Sequence, residues 1–262
     1  MSYFINILKK GIVFLGYNTI KRRFIGTGFL IDVEGITYLV TAKHVIKNSV
    51  ENLCVFFNLI GGGIGEHNLN DMKKKLNIDW ILHKNNDIDI ALIPYLIEDF
   101  DDSAKIDKSY FKETKDLTEL TDIFYLSYQP GLSKETKILP IVRKGTICFI
   151  NKEEGIIYID GFSFPGNSGS PVFTDPPPFR VRGKQLVPGR EHLLLSFIGV
   201  LGAYIPYRDV AISTQTGRPR ITFEENTGIA KVWSYDYIKE IINLPIFTKQ
   251  HEKIKTIILK KE

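Results

Sequence analysis

Apolar positions along this 262-residue chain gather in short runs rich in Val, Ile, Phe and Tyr, each closed by Gly, Asn, Asp or Pro. Such residues fit a pleated, half-buried surface, and short apolar runs bounded by turn residues predict strands rather than helices. The first half predicts six: 11–17, 24–33 (FIGTGFLIDV), 36–42 (ITYLVTA), 52–60 (NLCVFFNLI), 78–83 and 88–95 (IDIALIPY). A polar, charged stretch over 98–120 breaks the pattern and reads as a connection between halves. Six more runs follow at 122–128, 138–150, 155–161, 170–174, 193–203 (LLLSFIGVLGA) and 228–233. The two sets predict an all-β protein with two antiparallel barrels or sandwiches.

Near the end the period changes. Tyr237, Ile238, Ile241 and Ile242 recur at helical spacing within 234–247, and Pro245 is expected to stop that one closing helix. The remaining KQHEKIKTIILKKE is basic and loosely amphipathic, and is expected to be a frayed or surface-docked tail. Two segments of the second half, 174–192 with its three consecutive prolines and the polar 205–226, are expected to be surface loops. They are either solvated decoration or walls of a cleft that also serve to dock a protein partner.

Composition narrows the function. A hydrophobic share of 44% and a charged share of 24% belong to a folded chain. The net charge of +4 comes from 34 basic against 30 acidic residues, which with no binding motif gives no nucleic-acid signature. Cys54 and Cys148 lie far apart, each inside an apolar run, and are expected to be buried strand residues rather than a disulfide framework. The five histidines, at 44, 67, 83, 192 and 251, show no HExxH or CxxC spacing, so neither a metal nor another cofactor is expected. The segment GIVFLGY at 11–17 follows Lys9 and Lys10 but is short and lacks a small-residue cleavage site. No window approaches the roughly 18 apolar residues needed to cross a bilayer. A cytoplasmic protein without a membrane span is the expectation.

The segment FPGNSGSPVF at 164–173 carries the candidate chemistry. Gly166, Gly169 and Pro171 make a specialised turn around Ser168, with backbone able to approach a substrate carbonyl. A serine nucleophile needs a base, and the base needs an orienting group. His44, in YLVTAKHVI, sits where an apolar strand stops, so its backbone is fixed and its imidazole can reach an adjacent cleft. By itself, a histidine in such a setting is more often a satisfied structural residue than a base. For the acid, HKNNDIDIALIPY offers Asp87 and Asp89 at the head of an apolar run; Asp89 is favoured because the Ile-Ala-Leu-Ile core run follows it directly, with Asp87 in reserve.

Taken together, GTGFLI (26–31), TAKHV (41–45), DIALI (89–93) and GNSGSP (166–171) resemble, in order and spacing, the trypsin-like, chymotrypsin-fold serine peptidases, most closely their bacterial and HtrA-like branches. The resemblance covers about 10–243. It implies two six-stranded barrels with a cleft between them: 1–110 carrying His44 and Asp89, a linker at 111–121, 122–245 carrying Ser168 and the closing helix, and a basic tail at 246–262. It assigns Ser168 as nucleophile, His44 as general base and acid, Asp89 as orienting carboxylate, and the amides of Gly166 and Ser168 as the oxyanion hole. It places Phe162, Ser163 and Phe164 at the floor of the primary specificity pocket and makes Gly202, Ala203 and Tyr204 a strand that pairs with an extended substrate.

Departures from the family pattern also count. Asn167 stands where digestive members carry an aspartate for a newly cut N-terminus, so that activation is not expected. Ser170 replaces the usual glycine, and no PDZ-like segment follows. Nothing acidic lies at the pocket floor, which favours a small or apolar residue before the scissile bond, since a cation there would lack a partner. The function implied is a serine endopeptidase acting on protein or peptide. The alternative is a silent module of the same fold with a collapsed cleft that recognises a protein segment. An esterase is disfavoured because GNSGS sits in a β-rich pattern, not the strand-turn-helix of GxSxG.

Overall fold

Every run predicted in the first half becomes a strand of one antiparallel sheet: β1 Ile12–Asn18, β2 Arg22–Val33, β3 Ile36–Thr41, β4 Leu53–Asn58, β6 Ile81–Leu82 and β7 Ala91–Pro94. A seventh, β5 Ile64–Asn68, joins at the edge, giving the order β5-β4-β1-β2-β3-β7-β6. The β2–β3 hairpin turns at Glu34 and Gly35, both with positive φ (51° and 86°), the primed turn whose twist suits adjoining strands. The Asp32 carboxylate accepts from the Gly35 N–H at 2.9 Å and closes it. This computed structural model describes residues 2–19, 22–47, 52–129, 131–132, 136–175, 179–182, 185–188 and 195–260.

The second half forms a closed barrel of β8 Asp122–Ser127, β9 Ile141–Asn151, β10 Ile156–Asp160, β11 Pro171–Thr174, β14 Phe197–Ile212 and β15 Pro219–Ser234, in the order β10-β15-β14-β11-β8-β9. Tyr125, Ile147, Ile157, Ile159, Val172, Ile198 and Leu201 fill its interior. The larger apolar cluster spans both halves, with Phe14 and Phe29 from the first and Phe124, Phe173, Phe197 and Trp233 from the second. Between them, residues 98–120 are not a loose tether. Ile106 bridges to Ile31, the Lys112 N–H donates to the Phe197 carbonyl at 2.9 Å, and the Phe111 ring lies 5.3 Å from that of Phe197.

Several expectations change. Residues 205–226 are not an irregular loop: β14 and β15 run on past the barrel as a two-stranded ribbon, paired in register from Pro206↔Asn226 to Ala211↔Ile221. Within 174–192, Phe179–Arg182 (β12) pairs with Gln185–Pro188 (β13), and much of the rest lies outside the described residues. Helices α1 Ser2–Lys10, α2 Lys43–Lys47 and α3 Leu69–Leu76 precede the linker, α3 being capped by the Asn68 side chain. The closing helix is two, α4 Tyr235–Ile242 and α5 Pro245–Leu259. Pro245 occupies the first turn of α5, where its missing N–H costs nothing, so it starts a helix as well as ending one. The basic tail is therefore largely helical and buries Phe247, His251 and Ile254. Cys54 is buried but Cys148 is exposed, against expectation, and both are free thiols.

Candidate active site

β3 ends at Thr41, and after Ala42 the chain turns into α2, which begins at Lys43 and carries His44. That turn is held by Asp89, just ahead of β7. The Asp89 carbonyl accepts from the Lys43 N–H at 3.3 Å. One carboxylate oxygen accepts from the His44 backbone N–H at 2.8 Å and the other lies 2.6 Å from imidazole Nδ1. A proton on Nδ1 completes that second bond and leaves the Nε2 lone pair outward, the tautomer a base needs. The imidazole is 43% exposed and the carboxylate 19%, so the acid is sheltered and the ring faces solvent. Asp87, by contrast, is exposed, and its N–H is taken by the Asn85 side chain at 2.9 Å. Lys43 is buried with its ammonium on the Asn86 carbonyl, tying the Asp-bearing loop to the His-bearing helix.

The turn around Ser168 is built from buried polar groups. The Asn167 side chain accepts from the Phe164 N–H at 2.9 Å and donates to the Tyr128 carbonyl at 2.5 Å, while the Ser170 hydroxyl donates to the Asn167 carbonyl at 2.6 Å. Asn167 and Ser170 are fully buried. Asn167 thus locks the turn internally, which gives the residue in place of the digestive aspartate a structural task. Gly166 has φ +97° and rests on the Tyr128 ring. At Gly169, φ +88°, a Cβ would lie 2.0 Å from the Thr27 carbonyl and 2.4 Å from Thr41 Oγ1. Only glycine lets the turn approach the β2–β3 backbone this closely.

Thr27 joins the two halves. Its N–H donates to the Ser168 carbonyl at 2.9 Å, and its hydroxyl donates to the Gly166 carbonyl at 2.8 Å while accepting from the Tyr128 N–H at 2.9 Å. The Ser168 turn is thereby fastened beside Thr41 and Ala42, the residues that lead into His44. In this resting arrangement the Ser168 hydroxyl donates to the Gly202 carbonyl at 3.2 Å and not to the imidazole. The N–H groups of Gly166 and Ser168 have no acceptor among the described residues.

Around the serine, Phe162 and Phe164 are 57% and 41% exposed with ring centroids 6.2 Å apart, and the Arg143 guanidinium lies 5.1 Å from the Phe164 centroid. Ser163 is buried, its carbonyl accepting from the Asn226 side chain at 2.6 Å. The Tyr125 hydroxyl donates to the Phe162 carbonyl, and burial pushes that phenol up to about 12. Gly202 is buried and Ala203 exposed. Tyr204 turns to the ribbon, donating to Glu224 at 2.6 Å. Behind Gly202 stands Trp233, with the Lys231 ammonium 3.7 Å from its ring centroid; burial lowers the Lys231 pKa, opposed by the fields of Glu154, Asp89 and Asp87. Thr27, Tyr128 and Lys231 carried no recognisable signal in the sequence, since each acts through partners remote along the chain. Among the described residues no cluster of three or more His, Cys, Asp or Glu side chains could hold a metal.

A seven-stranded sheet carrying an Asp-His pair, joined through Thr27 to a closed barrel carrying the serine turn, is the arrangement of the serine peptidase folds built from two β units. Residues 26–176, more than half the chain, match the family model described as a trypsin-like peptidase domain, and the chain belongs to that family. Solved structures agree on the fold. The MamO protease domain from Magnetospirillum magneticum aligns with TM-score 0.52 and 12% identity over 90% of this chain and 97% of its own. The HtrA-type protease AlgW with tripeptide aligns with TM-score 0.52 and 14% identity over 92% of this chain but 63% of its own. A serine endoprotease from Yersinia pestis gives 0.51 and 15% over 93% of this chain and 65% of its own. The chain thus spans under two thirds of the last two. No curated protein matches it in sequence.

Proposed function

We propose that the chain is a serine endopeptidase working through an acyl-enzyme on Ser168. The supporting observation is the double grip of Asp89 on His44, backbone and imidazole together, beside a serine turn bolted to the same sheet through Thr27. For this chemistry the Ser168 hydroxyl leaves the Gly202 carbonyl and turns to His44 Nε2. The oxygen attacks a peptide carbonyl as its proton passes to Nε2, and Asp89 stabilises the imidazolium. Negative charge on the substrate oxygen meets the unclaimed N–H groups of Gly166 and Ser168, each such donor being worth about 3 kcal/mol in the transition state. The tetrahedral species collapses, the C–N bond breaks and the amine leaves with the proton from His44. Water, deprotonated by His44, then cleaves the ester and restores the serine. The substrate is protein or peptide. Arg143 beside Phe164 reinforces the preference for an apolar or small residue before the scissile bond, because a substrate cation would meet like charge there.

A fluorophosphonate probe checks this directly: it should label the wild type and neither Ser168→Ala nor His44→Ala. Equal labelling of all three removes the assignment. The second reading, a silent module that binds a protein segment, draws on the Ser168 bond to Gly202 in place of the imidazole. It predicts no labelling of any form, with peptide binding unchanged in Ser168→Ala. No described helix is long and apolar enough to cross a membrane.

A further inference from the structure

The β14–β15 ribbon has two features that the barrel does not explain. β14 pairs with β11 over Phe197–Val200, and Leu201 exchanges backbone bonds with Gly169 and Ser170 at 2.8 Å each, so from Gly202 onward, among the described residues, β15 is its sole strand partner. Among the described residues no strand pairs with the opposite edge of β14 from Gly202 to Ile212, and the Gly202 carbonyl holds the Ser168 hydroxyl. Over roughly 3.3 Å per residue, that edge runs about 30 Å away from the serine. The ribbon is also conspicuously apolar for a solvated hairpin: Tyr207, Val210, Ile212, Ile221 and Phe223 are between 41% and 59% exposed. A two-stranded hairpin is marginal by itself, and a long free edge bearing apolar side chains is a template for another strand.

We propose that this edge is an extended substrate rail, and that the enzyme selects unfolded polypeptide carrying about ten residues on the N-terminal side of the scissile bond. The proposal rests on the endopeptidase reading and deepens it. A substrate strand pairing antiparallel with Gly202–Tyr204 has its upstream residues carried along Pro206–Ile212, the only direction in which the ladder can continue. Continuity with the serine is what identifies the occupant as substrate rather than a second copy of the chain. Pro206 is tolerated because β14 is an edge strand here, and it removes one donor from the incoming ladder. The chemistry of the preferred segment follows from the cross-strand pairs. Tyr207↔Glu225, Asp209↔Phe223 and Ala211↔Ile221 share one face, so substrate side chains on that side meet aromatic and aliphatic groups interleaved with two carboxylates. Apolar and basic residues at alternate positions suit it. The other face carries Arg208 on Glu224 at 2.9 Å and is already satisfied.

The test uses the full chain as Ser168→Ala, so that binding is read without turnover, with fluorescein-labelled peptides extending roughly four, eight and twelve residues upstream of one cleavable bond. Anisotropy should show Kd falling by about tenfold for each four-residue extension, the sum of several cross-strand pairs. N-methylation at single backbone positions beyond the fourth should weaken binding at every second residue, the period of a strand ladder. Tyr207→Ser with Phe223→Ser should flatten the length series while leaving binding of the shortest peptide unchanged. A Kd independent of length beyond four residues, or N-methyl effects without alternation, overturns the rail. In either case the endopeptidase reading survives if wild type is still labelled by fluorophosphonate. Concentration-dependent dimerisation abolished by the same double variant would instead assign the edge to a second copy.

Discussion

Asp87 and Asp89 lie two positions apart on the same loop, and geometry separates them completely. Asp89 has both carboxylate oxygens committed to His44, whereas the exposed Asp87 does not touch the imidazole. Asp89→Asn should therefore lower kcat by about 10⁴ by losing the useful tautomer, with Asp87→Asn within about threefold of wild type, as read by hydrolysis of a peptide ester. Thr27 supplies a second test. Its hydroxyl satisfies two buried backbone groups, 139 and 101 positions away, so Thr27→Val leaves a donor and an acceptor orphaned in a residue of nearly the same shape. The expected cost is about 2–6 kcal/mol in urea unfolding, at roughly 1–3 per orphaned group, together with a fall in kcat as the Gly166 carbonyl is released. Thr27→Ser should restore most of both. The serine, histidine and acid were legible in sequence because each sits in a local pattern of turn or strand end. Thr27 was not, because its partners are defined only once the two sheets meet.

At the scale of elements, burial on one face is what made strands readable. The twelve predicted runs all become strands because each alternates or buries along its length, but 205–226 is exposed on both faces. A ribbon with no inside shows no inside-outside pattern, so its Tyr, Ile and Phe looked scattered among polar residues. Pro245 misled for another reason: the same fixed φ serves a helix end and a helix start. Helix α5 itself makes a measurable claim. Phe247 stacks on the buried Tyr38 at 4.7 Å between centroids, and Tyr38 OH lies 3.1 Å from His251 Nδ1. Phe247→Ala should cost about 3–5 kcal/mol, measured by chemical unfolding, which a dispensable tail would not show. The linker carries a weaker, pH-dependent tie to α4. Lys115 and Lys239 flank Glu113 and hold its carboxyl at about 2, down from 4.5. A depressed carboxylate contributes its stability above the unfolded value and loses it as pH falls, so the acid limb between 4.5 and about 2 should be shallower in Glu113→Gln. Solvent at the exposed Lys115 and Lys239 side chains screens the pair and keeps that effect small.

For the whole molecule, the question is whether two β units unfold as one. The interior of the second barrel is a separate apolar cluster, which alone would permit independent melting. The larger cluster argues otherwise, because it is shared. Phe197, on β14, is fully buried and contacts Phe29 of the first sheet at 5.3 Å, Phe111 of the linker at 5.3 Å and Phe173 of its own barrel at 5.8 Å. Polar ties run alongside: Asn58 receives the Ile138 N–H at 2.8 Å and donates back to its carbonyl at 3.1 Å, fastening β4 to the approach to β9. Separating the units would expose this aromatic seam and strand the partners of Thr27 and Asn58 at once. That loss is far larger than the few kcal/mol by which domains are typically stable per unit. Calorimetry should accordingly show one transition whose van't Hoff and calorimetric enthalpies agree. Phe197→Ala, at about 3–5 kcal/mol, should move that single transition down without splitting it. Two resolved transitions, with only the second barrel's shifted, would mean that the cleft is assembled from independently folded halves and that the Ser168 turn is held to His44 by substrate rather than by the fold.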